Sequence, residues 1–343
     1  MEQGTALVLG ATGGIGGETV AALLRRGWQV RALARDPVQA AAQWPAGLAQ
    51  PEWVAGDALD ASSVVAAARG AALIVHAVNP PGYRNWETLV LPMLESTIRA
   101  AEASGARIVL PGTVYNYGPD AFPDIAESAP QRALTRKGAI RVQMEQRLRE
   151  AAQRSVRTLI VRAGDFFGPR ARNNWFSQGL VKPGQALAAI SDPGRRGVGH
   201  QWAYLPDVAE TIVRLVERES ALAVFDTFHM NGHWDADGTQ MQAAIRRASG
   251  RPELPVKRFP WWLLTLSSPL VPMFRELREM RYLWQQPVRL RNARLLSVLG
   301  TEPHTPLDVA VGATLAGLGC LRGTAVHVQA PQKAEISHTS ASI

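Results

Sequence analysis

The chain has 343 residues, of which 46% are apolar and 19% charged, the composition of an ordinary globular protein. Lys and Arg total 37 against 29 Asp and Glu, a net charge of +8 that favours anionic ligands such as phosphates. The cations are spread along the chain and form no recognised nucleic-acid module, so specific nucleic-acid binding is not expected.

A single cysteine, Cys320, cannot close an intrachain disulfide, which suits a reducing compartment. The first residues run directly into "TALVLG", with no basic region, apolar run and cleavage site, so no signal peptide is expected. No run of about 18 apolar residues is present, so no transmembrane segment is expected either. Together these point to the cytoplasm.

In chain order, "TALVLG" reads as a strand and "GGIGGETVAALLRRG" as a helix closed by Gly27. "WQVRALAR" and "PEWVAGD" supply two more strands, and "ASSVVAAARG" a short helix. "AALIVHAV" is a continuous apolar run, the signature of a strand buried on both faces. A long helix follows within "ETLVLPMLESTIRAAEASG", with Pro92 near its first turns, and then the strand "ARIVLPGTV". "TRKGAIRVQMEQRLREAAQRS" is a charged helix and "RTLIVRAGD" the sixth strand. Strands alternating with helices at this spacing imply right-handed βαβ units and an α/β fold, a Rossmann-type doubly wound parallel sheet.

Beyond Gly168 the pattern loosens. "FGPRARNNWFSQGLVKPG" and "ISDPGRRGVGHQWAY" read as loops, whereas "LPDVAETIVRLVERES" and "TQMQAAIRRASG" are helical around the strand "VFDTFHMNG". The expected organisation is a Rossmann core over 1–168 and remaining sheet elements interleaved with a smaller capping region over 169–322. A disordered tail over 323–343 completes it. The aromatic segment Trp261 to Phe274 reads as a lid over a substrate with an apolar part. A homodimer surface and a shallow membrane-contacting face are its alternative roles.

"VLGATGGIGGE" places Gly10, Gly13 and Gly16 between the first strand and helix. The first glycine permits the tight turn and the next lets backbone approach a pyrophosphate at the helix N-terminus. The dinucleotide set is therefore Gly10, Thr12, Gly13, Gly14, Ile15 and Gly16. At the end of the second strand, where NAD-binding sheets place an acid for the ribose 2′-hydroxyl, stands Ala34 followed by Arg35. A guanidinium there suits a 2′-phosphate, so NADP is preferred to NAD, with Arg31 as a weaker second contact. The competing assignment gives the ribose hydroxyl of NAD to Asp36. Asp57 either accepts from adenine or caps its own loop.

These motifs, with "HAV" after the fourth strand, "PGTVYNYGPD" after the fifth, "RAGDFFGP" after the sixth and "YLPDVA" opening a later helix, resemble the extended short-chain dehydrogenase/reductase family, the NAD-dependent epimerase/dehydratase group. The resemblance covers about residues 5 to 320. It implies an NAD(P) cofactor, with Ala77 beside it, and catalysis by a Ser/Thr after the fifth strand together with a Tyr-x-x-x-Lys on the next helix. Counting from the motif glycine Gly118 reaches Thr113, an acceptable hydroxyl. Counting from Glu145 reaches Arg141 and Lys137, so Tyr-x-x-x-Lys becomes Lys-x-x-x-Arg and the phenol is gone.

Lys137 would have to lose a proton with a reference pKa of about 10.4 to act as a base. Desolvation and the Arg141 charge would both favour its neutral form. A displaced donor is the alternative, from Tyr115, Tyr117 or Tyr83. A plainer assignment makes Lys137, Arg141 and Glu145 a solvated helical stripe, with Arg141 and Glu145 a surface ion pair. His229, His233, Asp235 and Asp237 lack the spacing of a metal site, and His76 reads as a core histidine. The functions that follow are an NAD(P)-dependent oxidoreductase or epimerase acting on a small organic molecule, or a non-catalytic dinucleotide-binding sensor or assembly protein.

Overall fold

The computed structural model describes residues 4–80, 86–171, 174–262 and 278–321. Tyr83, most of the Trp261 to Phe274 segment and the tail expected over 323–343 lie outside the described residues.

The first half runs β1 (Thr5–Leu9), α1 (Gly14–Arg25), β2 (Gln29–Ala34), α2 (Pro37–Gln43), β3 (Glu52–Ala55), α3 (Ala61–Ala67), β4 (Ala71–His76), α4 (Trp86–Ser104) and β5 (Arg107–Gly112). Then come β6 (Asp124–Ile125), α5 (Arg136–Ala152), β7 (Thr158–Arg162) and β8 (Asp165–Phe167). The remainder comprises β9 (Ile190–Asp192), β10 (His200–Tyr204), α6 (Leu205–Val216), β11 (Phe225–His229), β12 (His233–Asp235), α7 (Gln240–Ser249), β13 (Val256–Arg258) and β14 (Arg289–Leu290). Two helices follow, Ala293–Leu299 and Leu307–Gly317.

Seven strands form one parallel sheet in the order β11-β7-β5-β4-β1-β2-β3. The chain proceeds outward from β1 through β2 to β3, then returns to place β4 on the other side of β1. The crevice at the carboxyl ends of β1 and β4 is therefore the topological switch point, where such sheets bind ligands. Apolar runs explain the central strands: Ala6, Leu7, Val8, Leu73, Ile74 and Val75 are buried from both faces.

Local chemistry sets the helix ends. At the end of α1, Gly27 takes φ +81°, its N–H donates to Leu24 O, and Trp28 N–H donates to Leu23 O. This is a Schellman closure, which needs a residue at ease in the left-handed region. Thr135 caps α5 by accepting from Gly138 N–H at 3.0 Å. Asp36 caps α2 in the same way, accepting from Gln39 N–H at 2.9 Å.

Two stretches expected as loops contain ordered elements. "ISDPGRRGVGHQWAY" holds β9 and β10, and every residue of β10 is buried because it lies between β8 and β12 in a second sheet. A strand enclosed in this way shows no alternation, and the Gly and Arg residues before it make only its entry turn. "FGPRARNNWFSQGLVKPG" likewise begins in β8 and carries a π-helical turn, Phe176–Leu180. Around these elements Phe167, Phe176, Trp202, Leu254, Leu283 and Trp284 build a second, aromatic-rich core beside the sheet.

Candidate functional site

A cleft of about 690 Å³ runs along the carboxyl ends of β1, β2, β4 and β5. Its far side is closed by Asp165, Phe166, Asn174, Trp175, Gln178 and Met280.

The glycine loop forms the floor. Gly10 has φ +86°, and a Cβ there would lie 2.5 Å from Ala77 O, so the β1 turn and the end of β4 approach as closely as backbone can. A Cβ on Gly16 would lie 2.1 Å from Gly10 O. Gly16 itself does not line the cleft; it lets α1 start against the turn. Gly10, Thr12, Gly13, Gly14 and Ile15 do line it. The α1 N-cap is Gly13, which has no side chain to satisfy the first N–H groups, and no acid stands in the first turn. Glu18, one turn on, is buried and held by Arg170 at 3.0 and 2.6 Å. The helix start thus keeps its donors and its positive end for an anion. A pyrophosphate fits this cradle.

At the β2 end, Arg35 is exposed, lines the cleft and makes no ion pair among the described residues. Asp36 spends one oxygen as the α2 cap. Arg31, considered as a second contact, instead pairs with Glu52 at 3.3 Å and donates to Ala67 O and Arg69 O. Asp57 lines the cleft and also accepts from Leu59 N–H at 2.9 Å, so its loop-capping role is real.

Thr113, Tyr115, Lys137, Arg141 and Ala77 meet on the same cleft. The approach of α5 depends on Gly138, where a Cβ would lie 2.2 Å from Tyr115 O. Lys137 is only 6% exposed. Thr113 Oγ1 is buried with no hydrogen-bond partner among the described residues, a hydroxyl available to a bound oxygen. The guanidinium of Arg141 lies 5.4 Å from the Trp86 ring.

The surface pair expected between Arg141 and Glu145 is absent. Glu145 turns inward, 4% exposed, and its carboxylate accepts from Arg162 Nη2 at 2.8 Å to each oxygen. Asn116 and Gln131 donate to it as well, at 2.8 and 2.6 Å. Arg162 Nη1 then donates to Thr113 O at 2.6 Å, so the buried pair fixes the backbone that carries Thr113. Tyr117, weighed as a proton donor, is fully buried; its hydroxyl lies 3.3 Å from His229 Nε2, and burial raises its pKa. Tyr117 is therefore a core residue, whereas Tyr115 is at the cleft.

His76 is in the core yet also borders the cleft. Thr97 Oγ1 donates to Met93 O, so His76 Nδ1 is the donor in its 2.8 Å contact with Thr97. Burial, then the Arg141 charge, lowers its pKa to about 3, leaving a neutral ring. Asp165 also lines the cleft, and its only signal in the sequence is its place at a strand end in "RAGDFFGP". Among the described residues no His, Cys, Asp or Glu group could hold a metal, and no helix is long and apolar enough to cross a membrane.

Residues 10–173 match a family model described as NAD(P)H-binding. No match is found among curated proteins. UDP-glucose 4-epimerase from Bifidobacterium longum, in complex with NAD+ and UDP, superposes with a TM-score of 0.68 at 15% identity, over 91% of this chain and 97% of its own. UDP-glucose-4-epimerase from Stenotrophomonas maltophila, with bound NAD and formylated UDP-arabinopyranose, gives 0.69 at 16% identity over 92% and 98%. UDP-N-acetylglucosamine 4-epimerase from Bacillus cereus gives 0.67 at 13% over 94% and 100%. At such identities the likeness is one of fold. Residues 10–173 thus match an NAD(P)H-binding domain, in a chain that shares the fold of these epimerases.

Proposed function

We propose that the chain is an NAD(P)(H)-dependent oxidoreductase or epimerase acting on a hydroxyl or carbonyl carbon of a small organic molecule, with NADP(H) preferred. The observation that carries this is the meeting of Thr113, Tyr115, Lys137 and Arg141 with the glycine loop on one cleft. Residues 1–168 carry the cofactor and 169–322 close over the substrate. The cytoplasm and a small-molecule partner fit this assignment.

The nicotinamide supplies hydride exchange at its C4. The glycine loop and the start of α1 would hold the pyrophosphate, Asp57 the adenine side, and Arg35 a 2′-phosphate. Thr113 Oγ1 hydrogen-bonds the substrate oxygen. Lys137 and Arg141, on the same cleft, would contact the nicotinamide ribose and stabilise negative charge developing on that oxygen. Tyr115 is the phenol assigned to proton transfer, with water as the other carrier.

The test is NADPH and NADH binding by the purified protein, followed by turnover across aldehydes, ketones, alcohols and sugar nucleotides. Thr113→Ala is expected to lower kcat by about 100-fold with cofactor affinity retained. A second reading, a non-catalytic dinucleotide sensor, draws on the loss of the phenol where Lys137 stands. Tight cofactor binding with no turnover across the panel would establish that reading and remove the first.

A further inference from the structure

The wall of the cleft beyond the cofactor groove has a chemistry of its own. Asp165, the first residue of β8, is 7% exposed and lines the cleft. Its Oδ2 lies 2.9 Å from His200 Nε2. His200 begins β10 and is buried, its ring stacked on Trp284 with centroids 3.8 Å apart and planes 6° apart. The Trp202 ring is inclined 61° to it, with centroids 4.8 Å apart. Trp284 in turn meets Trp175 at 5.2 Å, and Trp175 is itself part of the cleft wall. The carboxylate is thus clamped from behind through one oxygen.

Its other oxygen, Oδ1, makes no hydrogen bond among the described residues. This oxygen is not among the sealed polar atoms and opens on the cleft, so its donors come from whatever occupies the cleft. The described cations of the cleft are Arg35, Lys137 and Arg141. In the proposed function all three serve the cofactor and the reacting oxygen. The lining residues from Asp165 to Gln178 that are described add a carboxylate, aromatic rings and amides, and no further cation. A diphosphate laid against this wall would meet like charge, with no cation left over among the described lining residues to neutralise it.

Resting on the proposed function, we infer that the substrate presents a hydrogen-bond donor, a hydroxyl or an ammonium, to Asp165 Oδ1. Its apolar or aromatic body lies on Phe166, Trp175 and Met280. This differs from the nucleotide ligands found with the epimerases of Bifidobacterium longum and Stenotrophomonas maltophila. His200 acts as a positioning residue, holding the carboxylate through its Nε2–H.

The experiment is titration calorimetry on the NADPH-loaded full chain with three probes: 2-phenylethanol, 2-phenylethylamine and UDP. At least one of the first two should bind, the alcohol or the amine identifying which donor is used. Asp165→Asn should weaken it about 10-fold or more, the worth of one charge-assisted hydrogen bond. UDP should bind the wild type poorly and gain in Asp165→Asn. Unchanged NADPH affinity in the variant shows that it is folded, and a wild type that fails to bind NADPH would sink the proposed function instead. His200→Gln keeps a donor but loses the stacked ring, and should weaken the same probe while leaving NADPH alone. UDP binding more tightly to wild type than to Asp165→Asn would overturn the inference. So would failure of both donor probes to bind, or binding that neither substitution alters.

Discussion

Replacing Glu145 with glutamine removes one negative charge from the interior and changes almost nothing in shape. The carboxylate now takes two hydrogen bonds from the fully buried Arg162, one from Asn116 and one from Gln131. In Glu145→Gln one of its two acceptor oxygens becomes an amide donor facing other donors, and the Arg162 guanidinium is left buried without a counter-charge. Breaking a buried pair from one side costs about 3–5 kcal/mol, a large share of a typical stability of about 5–15 kcal/mol. Urea denaturation followed by circular dichroism is the assay, with a lower midpoint and an unchanged slope expected. Because Arg162 also holds Thr113 O, the surviving folded protein should show a weakened Thr113-dependent activity. The double variant Glu145→Leu, Arg162→Met should be less destabilised than Glu145→Gln, since it leaves no orphaned charge. A Glu145→Gln protein within about 1 kcal/mol of wild type would refute the reasoning, because it would mean that the guanidinium is hydrated rather than paired.

Arg35→Ala should lower NADPH affinity about 10-fold or more and leave NADH affinity unchanged; fluorescence titration reads both, and an equal loss for the two cofactors would remove Arg35 from the 2′-phosphate. Gly16→Ala must push Gly10 O away from a 2.1 Å overlap, so a loss of about 1–3 kcal/mol in thermal stability and of cofactor binding is expected. Full retention of NADPH binding in that variant would show that the turn yields. Acid titration tests the buried histidines: His76 and His229 are lowered to about 3 and His233 to about 4, each first by burial. The unfolded chain protonates them near pH 6.5 while the native state does not, so the stability they confer is complete above that pH. It falls with decreasing pH toward 3–4, by up to about 1.4 kcal/mol per pH unit for each histidine. A denaturation midpoint flat between pH 6.5 and 4.5 would contradict the burial of these rings.

The glycine loop, its flanking strand and helix, and the cation after β2 were legible without any structure. Their meaning is local: a tight turn, a helix start and a strand end are set by residues within a few positions of one another. The centre of the seven-stranded sheet was legible for a related reason, because β1, β4, β5 and β7, buried on both faces, are largely apolar runs. β10 is also buried throughout, yet the glycines and arginines crowded before it concealed its strand character. The stripe Lys137, Arg141, Glu145 shows where locality ends. All three follow the period of one helix, but Glu145 finds its partner 17 residues away on β7, while Lys137 and Arg141 reach the cleft.

Tyr115 and Tyr117, two positions apart, part company in the same way, one at the cleft and one sealed against His229. The sequence by itself determined the parallel α/β fold, the glycine turn before α1 and the absence of a tyrosine at the expected helix position. The tertiary structure alone decided which charges are paired, which hydroxyl is open and that Asp165 and His200, 35 residues apart, stand together. Hydrophobic period and turn preference are written into neighbouring residues, whereas the partner of a buried polar group is chosen by which elements pack, and desolvation makes that choice costly to get wrong.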